Sequence, residues 1–493
     1  MADLSLKKRT FRGFVSYGGA TLIVRVVGMV GAVFLARLVE PAAFGLVALG
    51  YLVLSIISLI APLGLAGALI QHRGDLERAS FQVFVMGLLS AAIAFLSVNL
   101  AKHLIASLLE APDLASIIPP LSLMILVEAL DRVPDARMQR DLKFERLGTI
   151  RVVSELTYYC VAIGFASLGY GLWSLIYGVL VKAAVGSVLS WTLVGSWGWI
   201  RWRKWDRPLM QGLFRYGRQS IGSNVAYQFV LNFDNFVVGR QLGVQALGYY
   251  SKAFDFTKKS VDHVNKVVAT VMFPSYSSIQ DDLPRLSKAY LMGLKLLSTI
   301  TVPASMGLFM LADRIVPVLF GERWIPMVPI LQVLTFMSLV KPISSTTAAV
   351  FNAVGRPAYN MHAGILVGAV MVVAILLLLP FGTVGIAASV VVSHIVGLGF
   401  NMYQINKVLP GTAIRMFSSV RPALLATMGM VGVLSLFKWY IGVGGIPLGP
   451  VPSLIFLFAL GVGSYIVFMF FVGRSILKAA VELLPSRRQA ATQ

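Results

Sequence analysis

The chain has 493 residues, of which 57% are hydrophobic and only 13% charged, with a mean hydropathy of +0.80. So apolar a composition excludes a water-soluble globular fold and points to a protein that crosses a membrane many times. The formal net charge of +21 is scattered over short loops and forms no basic domain, which sets nucleic-acid binding aside. A lone cysteine, Cys160, excludes an intrachain disulfide or a cysteine metal site; lying in an apolar stretch, it is expected to be buried.

Lys7, Lys8, Arg9 and Arg12 precede a long apolar segment with no small-residue cleavage site behind it, so the first span is expected to be retained. In chain order, about fourteen segments are long enough to span, each needing about 20 apolar residues. They run 14–38, 44–70, 80–102, 114–136, 147–168, 171–197, 213–239, 245–273, 286–311, 327–352, 360–380, 383–406, 417–440 and 451–473. Cations gather in alternate connections: Arg73 and Arg78, then Arg137, Arg140, Lys143 and Arg146, then Arg201, Arg203, Lys204 and Arg207. By the positive-inside rule that side is cytoplasmic, and both termini are expected there.

The chain also echoes itself. Phe34 to Gly45 (FLARLVEPAAFG) superposes on Val237 to Gly248 (VVGRQLGVQALG), matching Arg37 with Arg240 and Gly45 with Gly248. A shift covering an even number of spans keeps the orientation, so the copies form a parallel repeat. The expected fold is an all-α polytopic membrane protein of about 14 transmembrane helices, with two parallel-repeat six-helix lobes around a central cavity plus two C-terminal helices. The expected domains are a first lobe at 1–200, a cytoplasmic basic linker at 201–212, a second lobe at 213–408, and two extra helices with a cytoplasmic tail at 409–493. Trp197, Trp199, Trp202 and Trp205 stand around that linker, where aromatic rings suit the membrane–water interface.

One span is amphipathic in an unusual way. At 100° per residue Lys252, Asp255, Lys259, Asp262, His263 and Lys266 fall within an arc of about 100°, opposite Ala253, Thr257, Val261, Val264 and Val268. Facing lipid, each such charge would cost roughly 2.5–3.5 kcal/mol, so the stripe is expected to face a wet interior able to hold an anion. The preceding span carries Ser220, Ser223, Asn224, Tyr227, Gln228, Asp234 and Asn235 in one arc, a face of donors and acceptors suited to sugar hydroxyls. Arg25 in the first span, amid Tyr17, Gly18, Thr21 and Gly28, is placed to grip a phosphate with two parallel hydrogen bonds. The expected substrate cavity therefore comprises Arg25, Asn224, Gln228, Asp234, Asn235, Lys259, Asp262, His263 and Lys266.

Plainer readings stand beside these. Lys259, Asp262 and Lys266 are spaced to pair with one another at three and four residues, and Arg25 is able to pair with Asp234 as a strut. Glu128 and Arg132 either line the cavity or a gate or form, with Asp131, a charge cluster at the cytoplasmic end of their span. Lys341, followed by Pro342, marks either a cavity-lining bend or a kink alone; His362 and His394 are lone residues, more often satisfied in a core than proton carriers.

The run Asn232 to Ala253, NFDNFVVGRQLGVQALGYYSKA, resembles the start of the second lobe of Wzx-like bacterial polysaccharide repeat-unit flippases, in the multidrug/oligosaccharidyl-lipid/polysaccharide exporter superfamily. Phe44 to Gln71, Leu319 to Leu331 (LFGERWIPMVPIL) and Phe351 to Pro357 (FNAVGRP) agree with it, and the subgroup most similar is that of the colanic acid and succinoglycan exporters. The resemblance implies translocation of an undecaprenyl-pyrophosphate-linked oligosaccharide across the bacterial cytoplasmic membrane without covalent chemistry or a cofactor. It also implies membrane lipid, a polysaccharide polymerase and export machinery as candidate partners. No GxxxxGK[ST], HExxH or CxxC stands in the chain, so ATP hydrolysis, metalloprotease and redox chemistry have no carrier. A peptidoglycan-precursor flippase and a cation-coupled multidrug exporter of the same superfamily are the alternatives; a Lys-rich stripe disfavours the second.

Overall fold

The computed structural model describes the backbone of residues 2–60, 65–72, 74–443 and 449–473, and the side chains of these except 2–15, 58–60, 214–231, 259–271 and 442–443. Every regular element among the described residues is helical. Hydrocarbon offers a backbone no water to bond with, so each spanning segment must satisfy its own amides, which a helix does.

The chain divides into two compact units, Met1–Gly248 and Tyr249–Gln493. The first holds α1 (Ala2–Leu38), α2 (Pro41–Ile60), α3 (Leu65–Gln71), α4 (Leu76–Leu100), α5 (Lys102–Leu108), α6 (Leu114–Arg140), α7 (Phe144–Ser167) and α8 (Leu172–Leu193). α9 (Arg207–Ser277) begins in the first unit and breaks at Gly243, whose φ of 87° lies where only glycine is unstrained. The second unit continues with α10 (Leu283–Phe320), α11 (Met327–Ala353), α12 (Ala358–Leu378), α13 (Gly382–Val408), α14 (Thr412–Val443) and α15 (Pro450–Val472). Among the described residues nine stretches are long and apolar enough to cross a membrane, one of them, Ala358–Val408, containing both α12 and α13. α7 and α9 are not among the nine, and both carry charges within segments expected to span.

Several helices start on an aspartate. Asp75 accepts from the backbone N–H of Glu77 (3.1 Å) and Arg78 (3.0 Å) at the start of α4. Asp206 accepts from Leu209 (3.0 Å) at the start of α9, and Asp282 from Arg285 (3.0 Å) at the start of α10. Each satisfies amides that the first helical turn leaves without an intrahelical acceptor.

Within the first unit α7 packs on α1 and α8, while α6 packs on α4 and α8. The repeat-related glycines meet there: a Cβ on Gly45 would strike the Val244 carbonyl and the Gly248 amide, and one on Gly248 would strike the Pro41 carbonyl. Within the second unit α10 is central, packed on α11, α14 and α15. Lys438 on α14 donates to both oxygens of Asp313 (2.8 and 2.9 Å) and to the Met310 carbonyl (2.8 Å), and Tyr465 on α15 donates to the Thr299 carbonyl (2.7 Å). These bonds fasten the last two helices to α10.

One expectation is corrected. Cys160 is exposed on α7 rather than buried, because the inward face of that helix is taken by Ser154 and Ala162. Glu128 and Asp131 stand on α6, which runs on to Arg140, so that by a rise of 1.5 Å per residue Glu128 lies roughly 20 Å from either end of the helix.

Candidate functional site

Three helices of the first unit each carry an ionisable side chain at their midpoint: Glu128 on α6, Glu155 on α7 and Lys182 on α8. In a spanning bundle the midpoint is the depth at which a charge is most expensive, so such groups are retained where they pair or serve transport. Lys182 Nζ donates to Glu155 Oε2 at 2.5 Å and stands 5.7 Å from the ring centroid of Tyr158. Arg132, one turn after Glu128, pairs with it at 3.5 Å. Asp135, one turn further, accepts from the Ser190 hydroxyl of α8 at 2.9 Å, and Asp131 has one carboxylate oxygen buried without a hydrogen bond.

α1 closes this cluster on one side. Tyr159 of α7 donates to the Gly28 carbonyl (3.0 Å), and the Arg151 guanidinium lies 4.8 Å over the Tyr17 ring. Arg25 is half-buried, near the middle of the Ser16–Leu38 span, and among the described residues it has neither an ion pair nor a hydrogen bond. Four half-buried carboxylates (Glu128, Asp131, Asp135, Glu155) and three half-buried cations (Arg25, Arg132, Lys182) thus gather within one helical unit, with Arg151 exposed over the Tyr17 ring. Two carboxylates are held in ion pairs by Arg132 and Lys182, which leaves the guanidinium groups of Arg25 and Arg151 without an ion-paired carboxylate among the described residues.

The other expected site residues fall as follows. Asp234, on the first arm of α9, is 3% exposed and accepts from the Asn235 N–H (2.8 Å), while the Asn235 side-chain oxygen is buried without a hydrogen bond. Arg25 and Asp234 are not joined by an ion pair. The side chains of Asn224, Gln228, Lys259, Asp262, His263 and Lys266 lie outside the described residues. At the near end of the same stripe Asp255 is exposed and Lys252 half-buried, whereas Ala253 and Thr257 on the opposite face are fully buried. Lys341 is half-buried on α11, which continues through Pro342; His362 is exposed, and the His394 ring bonds the Val390 carbonyl one turn back (2.8 Å). No group of three or more metal-ligating side chains occurs among the described residues.

Glu155, Lys182 and Arg151 were not singled out by sequence reasoning. A signal was there: each is a charge inside an expected span, and the first two stand alone at its centre, the pattern that marks a functional position in a membrane helix. Attention to charge stripes, which pick out clustered ions, passes over single ones.

At one end of the first unit the segment between α8 and α9 folds back onto α4. Trp199 is fully buried, 5.3 Å from Phe84 and 5.5 Å from Trp191 between ring centroids. Arg203 pairs with Glu77, Arg78 pairs with Asp206 at 3.5 Å, and Arg137 donates to Ser80 and Ser196 at 3.2 Å each. Asp75, exposed beside them, has its pKa lowered chiefly by the Arg78 backbone N–H, with the Arg203 and Arg78 charges assisting. A cavity of about 280 Å³ opens nearby between α3 and the start of α9, lined by Gln71, His72, Pro208 and Leu213 among others.

Comparison with known proteins adds identity to this geometry. The chain is 27% identical over 362 residues to the lipopolysaccharide biosynthesis protein WzxC of Escherichia coli K12, covering 72% of each chain. It is 27% identical over 329 residues to the succinoglycan biosynthesis transport protein ExoT of Rhizobium meliloti 1021, covering 66% of this chain and 65% of that one. Among solved structures, the lipid II flippase MurJ in an inward closed conformation superposes with a TM-score of 0.78 over 94% of this chain and 100% of its own, at 16% identity, a likeness of fold. A family model for the lipid II flippase MurJ matches residues 264–444. The polysaccharide biosynthesis protein model matches residues 34–329, more than half of the chain, and the protein belongs to that family.

Proposed function

We propose that the protein is a flippase that moves a polyprenyl-pyrophosphate-linked oligosaccharide repeat unit across the bacterial cytoplasmic membrane, by alternating access of a polar cavity to the two faces. The observation that carries this reading is the family match over residues 34–329, which includes the helices bearing the mid-span charges. The cargo serves exopolysaccharide, capsule or O-antigen synthesis, and both termini of the protein lie in the cytoplasm.

The cargo has two chemistries, and the chain has residues for each. A pyrophosphate needs cations that remain charged at bilayer depth, and guanidinium does so with a planar fork of donors. Arg25 and Arg151 are available for it, since neither is bound to a carboxylate among the described residues; Lys259, His263 and Lys266 add positive charge from the second arm of α9, with Asp262 beside them. Asn224, Gln228, Asp234 and Asn235 meet sugar hydroxyls, with the unsatisfied Asn235 oxygen as an acceptor. Glu128, Arg132 and Lys341 line the path or its gate. The Glu155–Lys182 pair keeps its own charges compensated while the cargo passes. Translocation breaks no covalent bond, so the residues bind, orient and release.

The test is flipping of a fluorescent undecaprenyl-pyrophosphate oligosaccharide in proteoliposomes holding the purified full chain, read as the fraction accessible to an impermeant reagent. Protein-dependent flipping is expected, and flipping no faster than in protein-free vesicles would overturn the reading. Complementation of strains lacking a repeat-unit flippase, beside strains lacking the peptidoglycan-precursor flippase, separates the two cargoes; rescue of only the latter would move the assignment to peptidoglycan.

A further inference from the structure

We propose that residues 197–207, which join α8 to α9, form a docking surface for the headgroups of anionic phospholipids. The segment is fixed from beneath. Trp199 is buried and donates its indole N–H to the Ser196 carbonyl (3.0 Å), Arg203 is paired with Glu77, and Asp206 is paired with Arg78 and caps α9. A backbone held at both ends presents its remaining side chains at set positions.

Those side chains alternate in character. Trp197, Trp202 and Trp205 are 54%, 88% and 45% exposed, and Arg201, Lys204 and Arg207 are exposed with no hydrogen bond or ion pair among the described residues. Trp202, the most exposed of the three, makes an edge contact to Phe81, 5.7 Å between centroids. Asp75, Glu77 and Asp206, the carboxylates that stand against this segment, are already engaged by Arg78 and Arg203, so three cations are left over. Indole rings prefer the headgroup layer, where the ring is out of water and the N–H stays wet. A guanidinium binds a phosphate diester through two parallel hydrogen bonds, and a zwitterionic headgroup meets it with a compensating ammonium that an anionic one lacks. A nucleic acid or an acidic protein would satisfy the cations and leave large rings in water, which is why lipid is the occupant that fits. The inference is independent of the cargo.

The experiment uses the purified full chain in detergent with equimolar phosphatidylglycerol and phosphatidylcholine, retained lipids being counted by native mass spectrometry. An exposed cation at an anionic surface adds about 1 kcal/mol, roughly fivefold in occupancy. Arg201→Gln/Lys204→Gln/Arg207→Gln is therefore expected to reduce phosphatidylglycerol enrichment by about tenfold or more, while Lys102→Gln, at the opposite end of α4, leaves it unchanged. Equal enrichment in the triple variant and the wild type, or no enrichment in the wild type, overturns the proposal. Should the triple variant not fold, the wild type carries the test alone: raising salt from 0.05 to 0.5 M should erase the preference. Bromine-tailed phosphatidylglycerol should also quench the wild type more than Trp202→Phe. Salt-insensitive enrichment, or equal quenching of the two proteins, defeats the idea.

Discussion

Glu155 and Lys182 illustrate what a single residue pair is worth at the centre of a membrane bundle. Removing one partner leaves the other charged and unsatisfied at a depth where that is expensive, so Lys182→Met should destabilise the protein by about 1–3 kcal/mol. Glu155→Gln added to it should restore part of the loss; thermal unfolding in detergent measures both, and a double variant worse than the single would contradict the pairing. Under the proposed function Arg25 is the other kind of charge, one kept for the pyrophosphate of the cargo. Arg25→Lys should lose most transport while unfolding at the wild-type temperature, because an ammonium lacks the bidentate fork. Asp75 offers a pH prediction at the start of α4. Its folded pKa is depressed, so its contribution is present above the unfolded value near 3.9 and is lost as pH falls through the folded value. Asp75→Asn should keep the cap and flatten that acid limb, and Asp75→Ala should cost about 1 kcal/mol at neutral pH, read by amide exchange in the first turn of α4.

At the scale of elements, the start of α2 and the break in α9 meet through glycine because there is no room for anything larger. Gly45→Ala or Gly248→Ala would drive a methyl group into backbone rather than into a side chain that can turn away, and each should cost about 1–3 kcal/mol. Gly87→Ala in α4, with open space at its Cβ position, should be neutral or stabilising by up to about 1 kcal/mol. Similar loss at all three glycines in a denaturation series would show that helix propensity rather than contact decides. The sequence repeat already aligned Gly45 with Gly248. Alignment alone did not say that they touch, since equivalence in a repeat is a statement about pattern and contact depends on how helices cross. The apolar segments were legible for a simple reason, that a hydrocarbon layer of fixed thickness demands apolar runs of fixed length, but their bounds were not: the expected spans 213–239 and 245–273 fall within α9, and 44–70 falls across α2 and α3. The partition of charges was less legible. The sequence left Glu128 and Arg132 either to a cavity or gate or, with Asp131, to a cluster at the span's end, whereas α6 extends through Pro134 and places Glu128 near the middle of the helix.

For the whole molecule, alternating access predicts that cavity residues meet water from one side and then the other. Cysteines replacing Ser220 and Asn224 in a Cys160→Ser background should react with an impermeant thiol reagent; the exposure of Cys160 makes that background necessary. Protection of both positions from both sides would leave no cavity there. By itself the sequence determined the membrane class, the all-helical fold and the family, because hydropathy and short motifs are local properties that survive translation into a linear string. Tertiary structure alone decided that Lys182 meets Glu155 from another helix, that Trp199 is buried while Trp202 three residues on is exposed, and that Arg25 has no paired carboxylate among the described residues. Those outcomes depend on which face of one helix is turned toward another, and that geometry is fixed only when the helices pack.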